Sequence, residues 1–85
     1  MAERLRDKVA IITGGATGIG RAAARLFAQE GAKVVVADRN APAAEQTVSM
    51  IGEDGGDAFF VMADVSKTPQ VRNMVEQAIQ RYGKL

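Results

Sequence analysis

The 85-residue sequence has no cysteine, no histidine and no tryptophan, and it carries one tyrosine, three phenylalanines and two prolines. Without thiols there is no disulfide framework and no thiolate nucleophile. Without imidazole there is neither a histidine general base nor one of the usual zinc ligand sets. Charge of one sign is lacking too: 11 Lys and Arg interleave with 10 Asp and Glu for a net charge of +1. That balance gives no electrostatic footprint for nucleic acid or for an anionic membrane surface. The longest apolar stretches, Val9-Ala10-Ile11-Ile12 and Val34-Val35-Val36-Ala37, fall far short of the roughly 18 residues a membrane span needs. The start, Met1-Ala2-Glu3-Arg4-Leu5-Arg6-Asp7, mixes acids with bases and leads into only a short apolar run, unlike a secretory signal. The expectation is a cytoplasmic chain with neither nucleic acid nor membrane as partner.

What is present is ordinary for a globular chain: 47% hydrophobic and 25% charged residues, which excludes disorder as the default. The length suits one domain or part of one, with no room for a second. Short β-branched runs alternate with helical stretches. Strands are predicted over 8–13, 33–38 and 58–63, and helices over 18–30, 42–52 and 69–82. The apolar runs suit strands of a parallel sheet buried on both faces, so helices must cover both sides. Val71, Met74, Val75, Ala78, Ile79 and Tyr82 recur at helical spacing and predict one apolar stripe on the last helix. Asn40 is placed to cap the second helix with Pro42 in its first turn, and Ser66 or Thr68 to cap the third before Pro69. Gly31, Gly52 and Gly83 are expected to stop helices, and residues 52–57 to form a surface loop. Right-handed crossovers then set the strands in the order 3-2-1, the first βαβαβα half of a Rossmann-type, doubly wound α/β sheet.

The most informative segment is Thr13-Gly14-Gly15-Ala16-Thr17-Gly18-Ile19-Gly20, which leaves the first strand and opens the first helix. Glycines in such a loop divide three tasks among them: a tight turn, close backbone approach to a pyrophosphate, and close packing of helix on strand. The helix's leading N–H groups and positive dipole end then face the phosphates. The spacing from Gly15 to Gly20 also fits a Walker A loop. Arg21 and Ala22, however, stand where Lys and Ser or Thr must hold phosphate and magnesium, so ATP hydrolysis is not expected.

The second strand ends in Asp38, whose carboxylate can accept hydrogen bonds from both ribose hydroxyls of an adenosine and would repel a 2′-phosphate. The bland alternative is a solvated acid at a strand end. Arg39 argues in the opposite sense, because a guanidinium there could pair with a 2′-phosphate or stack on adenine. The carboxylate's repulsion is local and poorly solvated, whereas Arg39 can swing into water, so the reading favours NAD over NADP. Asp64, at the end of the third strand, lies on the same rim. It either bonds the adenine amino group or merely satisfies turn donors, and the residues alone leave that open.

On these residues the chain resembles the N-terminal part of the short-chain dehydrogenase/reductase family. Its Thr-Gly-x-x-x-Gly-x-Gly pattern is met by Thr13, Gly14, Gly18, Ile19 and Gly20, after Lys8-Val9-Ala10-Ile11-Ile12. The resemblance covers nearly the whole chain and implies a cofactor-binding set of Gly14, Thr17, Gly18, Ile19, Gly20, Asp38, Arg39, Asp64 and Val65. In that set Asp64 reads adenine through its side chain and Val65 through its backbone N–H. Residues 1–85 are then the N-terminal part of a single NAD(P)-binding domain.

The resemblance further implies an oxidoreductase moving hydride between a nicotinamide and an alcohol or ketone, generally as a homo-oligomer. The family's Ser, Tyr-x-x-x-Lys and Asn-Asn-Ala-Gly are not found: Tyr82 is followed by Gly83-Lys84-Leu85 and reads as a core-facing residue. No catalytic or metal-ligating residue is therefore assigned. An end at Leu85 would leave the first strand as an open, association-prone edge. The expectation is a truncated portion of a dehydrogenase, with a non-catalytic nucleotide-binding or interaction module completed by another chain as the alternative.

Overall fold

The computed structural model describes residues 5–15, 17–64 and 67–83. They form β1 (Val9–Thr13), α1 (Gly18–Gln29), β2 (Lys33–Asp38), α2 (Ala41–Glu53), β3 (Asp57–Met62) and α3 (Thr68–Tyr82). The strands are parallel in the order β1-β2-β3, which is the expected 3-2-1 order read from the other edge. Register runs from Val9 opposite Lys33 to Thr13 opposite Ala37, and from Lys33 opposite Asp57 to Asp38 opposite Met62.

Alternation along β2 builds two cores. Val34 and Val36 face one side, where they join Ala24 of α1 and Ala44 and Ile51 of α2, with Ile12, Phe27 and Phe60 packed around them. Val35 and Ala37 face the other side, with Val61, Met74 and Ala78 and with Ile11, Phe59 and Tyr82 at the margin. Thus α1 and α2 cover one face, as two successive right-handed crossovers in one direction require, and α3 covers the other. The four central β2 residues are fully buried, but β1, paired on one side only among the described residues, is half-buried. Burial on both faces therefore holds for β2 and not for β1.

Local signals explain most boundaries. Asn40 caps α2, its side chain accepting from Ala43 N at 3.1 Å, with Pro42 in the first turn. Gly83 ends α3 in the left-handed conformation at φ +80, and Gly31 follows α1 at φ +99. Gly52 does not end α2. The helix continues to Glu53, and the left-handed residue beyond its end is Gly55 at φ +86. The loop expected over 52–57 accordingly shrinks to residues 54–56, with Asp57 already in β3.

The start of α3 also departs from expectation. Thr68 is its first helical residue, so it is not the cap, and Ser66 lies outside the described residues. The capping position falls to Lys67, which has no side-chain acceptor; its carbonyl takes Gln70 N at 3.0 Å and Val71 N at 3.2 Å. On the α3 stripe Met74 and Ala78 are buried, while Ile79, at the stripe's edge, is 47% exposed. Tyr82 faces inward, its hydroxyl donating to Asp57 at 3.1 Å and its ring centroid lying 5.5 Å from that of Phe59.

Candidate functional site

The carboxyl ends of the three strands meet in one cleft of about 350 Å³ lined by Thr13, Gly14, Ala37, Asp38, Arg39, Ala63 and Asp64. Backbone hydrogen bonds fix its floor: Gly14 N donates to Ala37 O at 2.9 Å, and Ala63 N to Asp38 O at 3.0 Å. Open α/β sheets bind ligands outside the carboxyl ends of their strands, where this cleft lies. Four predicted residues, Gly14, Asp38, Arg39 and Asp64, are thereby brought together. Thr17, Gly18, Ile19 and Gly20 stand at the head of α1, next along the chain from Gly14, and Val65 lies outside the described residues.

Each glycine of the loop has its own physical reason. Gly14 turns the chain at φ +68. At Gly20 a Cβ would collide with the Gly14 carbonyl oxygen and lie 3.1 Å from Gly15 Cα, so this glycine lets the helix press on the loop. Gly18 differs from both: its φ is +58 and nothing among the described residues lies within 4 Å of where a Cβ would be. Packing among the described residues gives no reason for the missing side chain there and leaves the space beside it free for a ligand. Gly15, which the motif leaves unspecified, is buried and also constrained, though less severely than Gly20. A Cβ on it would sit 2.9 Å from Val36 Cγ1 and 3.1 Å from Ile12 O.

The positive end of α1 is left uncompensated by its own sequence. Thr17 occupies the cap position in an extended conformation without a side-chain cap bond, and the first turn holds no acid. Ile19 beside it is 89% exposed. An uncapped helix start with a side-chain-free residue facing open space is the donor arrangement that a diphosphate requires. The residues present thus fit a dinucleotide.

Asp38 is half-buried, and its Oδ1 accepts from Asn40 N at 3.0 Å. Asn40 therefore steadies the acid through its backbone while its side chain caps α2. Across the cleft mouth, Arg39 Nε lies 3.9 Å from Asp64 Oδ2. Asp64 N in turn donates to Gln70 Oε1 at 2.6 Å, which anchors the end of β3 to α3. The sequence reading missed Asn40's second task and Gln70. The Asp-x-Asn spacing could have signalled the first, but nothing local signals the second.

Also missed was Arg21, which clamps α1 to α2 by donating to Thr47 Oγ1 at 2.9 Å, Ala43 O at 3.1 Å and Gln46 Oε1 at 3.3 Å. Tyr82 stands at the opposite end of the sheet, beside Asp57. Burial, and then the Asp57 carboxylate, push its phenol up from 10.0, the reverse of what a proton-transferring tyrosine needs.

A model of the short chain dehydrogenase family matches residues 8–85. The chain belongs to this family of oxidoreductases. It is 47% identical over 85 residues to 2,5-dichloro-2,5-cyclohexadiene-1,4-diol dehydrogenase LinX of Sphingobium indicum, spanning all of this chain and 34% of that protein. Tropinone reductase-like 2 of Erythroxylum coca is 45% identical over 83 residues, which is 98% of this chain and 29% of that one. The chain spans about a third of the length of these curated relatives.

Among solved structures, a hydroxysteroid dehydrogenase from Escherichia coli superposes with a TM-score of 0.95 at 42% identity, covering 98% of this chain and 35% of that one. The glucose dehydrogenase of Caenorhabditis elegans gives a TM-score of 0.91 at 41% identity, over 96% of this chain and 36% of that one. These likenesses agree with the Rossmann-type half sheet. No helix among the described residues is long and apolar enough to cross a membrane.

Proposed function

We propose that residues 1–85 are the N-terminal, dinucleotide-binding part of a single domain in an NAD-dependent oxidoreductase. When bound, the nicotinamide dinucleotide supplies or accepts a hydride. In this reading the amides at the head of α1 hold the diphosphate, with Gly14, Thr17, Gly18, Ile19 and Gly20 forming the cradle. Asp38 accepts from the ribose hydroxyls and repels a 2′-phosphate, and that repulsion selects NAD. Asp64 bonds the adenine, which Arg39 and Val65 flank.

The observation that carries the reading is Gly18: an empty Cβ position in the left-handed conformation, at an uncapped helix start. The names of the relatives support an alcohol or carbonyl as the substrate class, since they include a diol dehydrogenase, a hydroxysteroid dehydrogenase and a glucose dehydrogenase. Family membership supports a homo-oligomer in the same way.

The test is calorimetric titration of NAD and NADP into the full-length protein and its Asp38→Ala and Asp38→Ser variants. Loss of hydrogen bonds to a carboxylate is worth about 1.5–3 kcal/mol. NAD affinity should therefore fall by about tenfold or more, while NADP is affected less or gains. Unchanged affinities and preference would refute the ribose role.

A further inference from the structure

We propose that Asp64 is a specificity-determining residue for the cofactor, acting by holding the Arg39 guanidinium across the mouth of the cleft and away from the ribose 2′ position. The inference rests on the dinucleotide reading above. It begins with the register: Asp38 is paired with Met62, and Ala63 N bonds Asp38 O at 3.0 Å, so the residues that follow β2 and β3 leave the sheet side by side. Arg39 follows the ribose-reading acid directly and is 78% exposed at its side chain, so nothing in its packing stops it from turning toward a 2′-phosphate.

What biases it is the carboxylate just beyond the end of the next strand. Asp64, only 23% exposed at its side chain, puts Oδ2 3.9 Å from Arg39 Nε, and its backbone is held in place by the 2.6 Å bond from its N to Gln70 Oε1. The two side chains also line a second, smaller recess of about 210 Å³ on the β3 side of the cleft, together with Met62 and Lys67. Arg39, the feature of the sequence that favours NADP, is thus engaged by an acid just beyond β3 that is anchored to α3. Asp38 repels the phosphate, and Asp64 withholds the cation that would attract it.

The effect is confined to one charge pair near solvent, so it is modest and sensitive to salt. The experiment is a double-variant cycle in the full-length protein, with NAD and NADP affinities measured by calorimetry for wild type, Asp64→Asn, Arg39→Gln and the two combined. Using the ratio of the two affinities removes any equal contribution of Asp64 to adenine binding. Asp64→Asn keeps the side chain's shape and should raise NADP affinity relative to NAD by about fivefold. Arg39→Gln alone should change the ratio by less than about twofold, because the guanidinium is already held elsewhere. In the combined variant the gain should disappear, and in Asp64→Asn it should shrink as salt is added.

A ratio that Asp64→Asn leaves unchanged overturns the proposal. So does a gain that persists in the combined variant, since Asp64 would then act on the phosphate through its own charge and not through Arg39. Failure of the underlying reading looks different: wild type would bind neither dinucleotide, or Asp38→Ala would leave the ratio where it was.

Discussion

Gly18 and Gly20 open α1 two positions apart, yet substituting them should separate folding from binding. At Gly20 an added Cβ would collide with the Gly14 carbonyl oxygen and lie 2.6 Å from its carbonyl carbon and 3.1 Å from Gly15 Cα. These are backbone atoms, which cannot rotate aside like the tip of a side chain. The loop must instead withdraw from the helix, and the 2.9 Å bond from Gly14 N to Ala37 O moves with it. Overpacking of this kind costs about 1–3 kcal/mol and sometimes more; with no flexible neighbour to yield, Gly20→Ala belongs at the upper end. At Gly18 no described residue stands in the way, and the cost of alanine is the left-handed backbone at φ +58, about 1–2 kcal/mol. Asparagine tolerates that conformation, so Gly18→Asn should unfold within about 0.5 kcal/mol of wild type. It nevertheless puts a side chain where the diphosphate is expected and should lower NAD affinity by about tenfold or more. Urea unfolding and calorimetric titration of the full-length protein measure the two quantities separately. A Gly20→Ala protein with the wild-type unfolding midpoint would refute the packing argument, and a Gly18→Asn protein binding NAD with wild-type affinity would refute the cradle.

Other perturbations probe the supports of the site. Asn40→Ala removes the α2 cap and should cost about 1 kcal/mol in urea unfolding, with Asn40→Ser recovering most of it; equal losses in both variants would count against the cap. Arg21→Lys cannot reproduce three hydrogen bonds from one planar group, so it should destabilise nearly as much as Arg21→Ala, by about 1–3 kcal/mol; a fully stable Arg21→Lys would show that the α1–α2 clamp needs only a charge. The Tyr82 phenol titrates above its unfolded value of 10.0 because burial and Asp57 favour the neutral form. Its contribution to stability is therefore complete below that pH and lost as pH rises toward the folded value, so Tyr82→Phe should flatten the alkaline fall in thermal unfolding temperature. Parallel alkaline profiles for the two proteins would remove this role.

How much of this was readable in the sequence depends on the reach of each interaction. The element order, the glycine loop and the Asn40 cap were readable because each is set by backbone geometry within a few residues: a left-handed turn, a helix start, an acceptor three positions before a donor. Misreadings arose where two local options competed. Gly52 was a reasonable helix end, but Ile51 is fully buried in the core and α2 runs on past both to Glu53, leaving the stop to Gly55. At α3, Thr68 had the right chemistry for a cap, yet the helix already includes it and the capping position falls on Lys67.

The contacts that were not readable join residues 6 to 29 positions apart: Asp64 to Gln70, Arg21 to Thr47, Arg39 to Asp64 and Arg25 to Asp54, the last at 3.1 Å. No period or motif encodes them, because each depends on which strand and helix ends the parallel register sets side by side. Arg39 makes the point for function. Its position after Asp38 reads as a 2′-phosphate ligand if the β2 end is considered alone, whereas with β3 alongside, the same guanidinium faces a carboxylate. On the proposal made above, the contribution of Arg39 to cofactor choice depends on the pairing of two strands, which no motif confined to the end of β2 encodes.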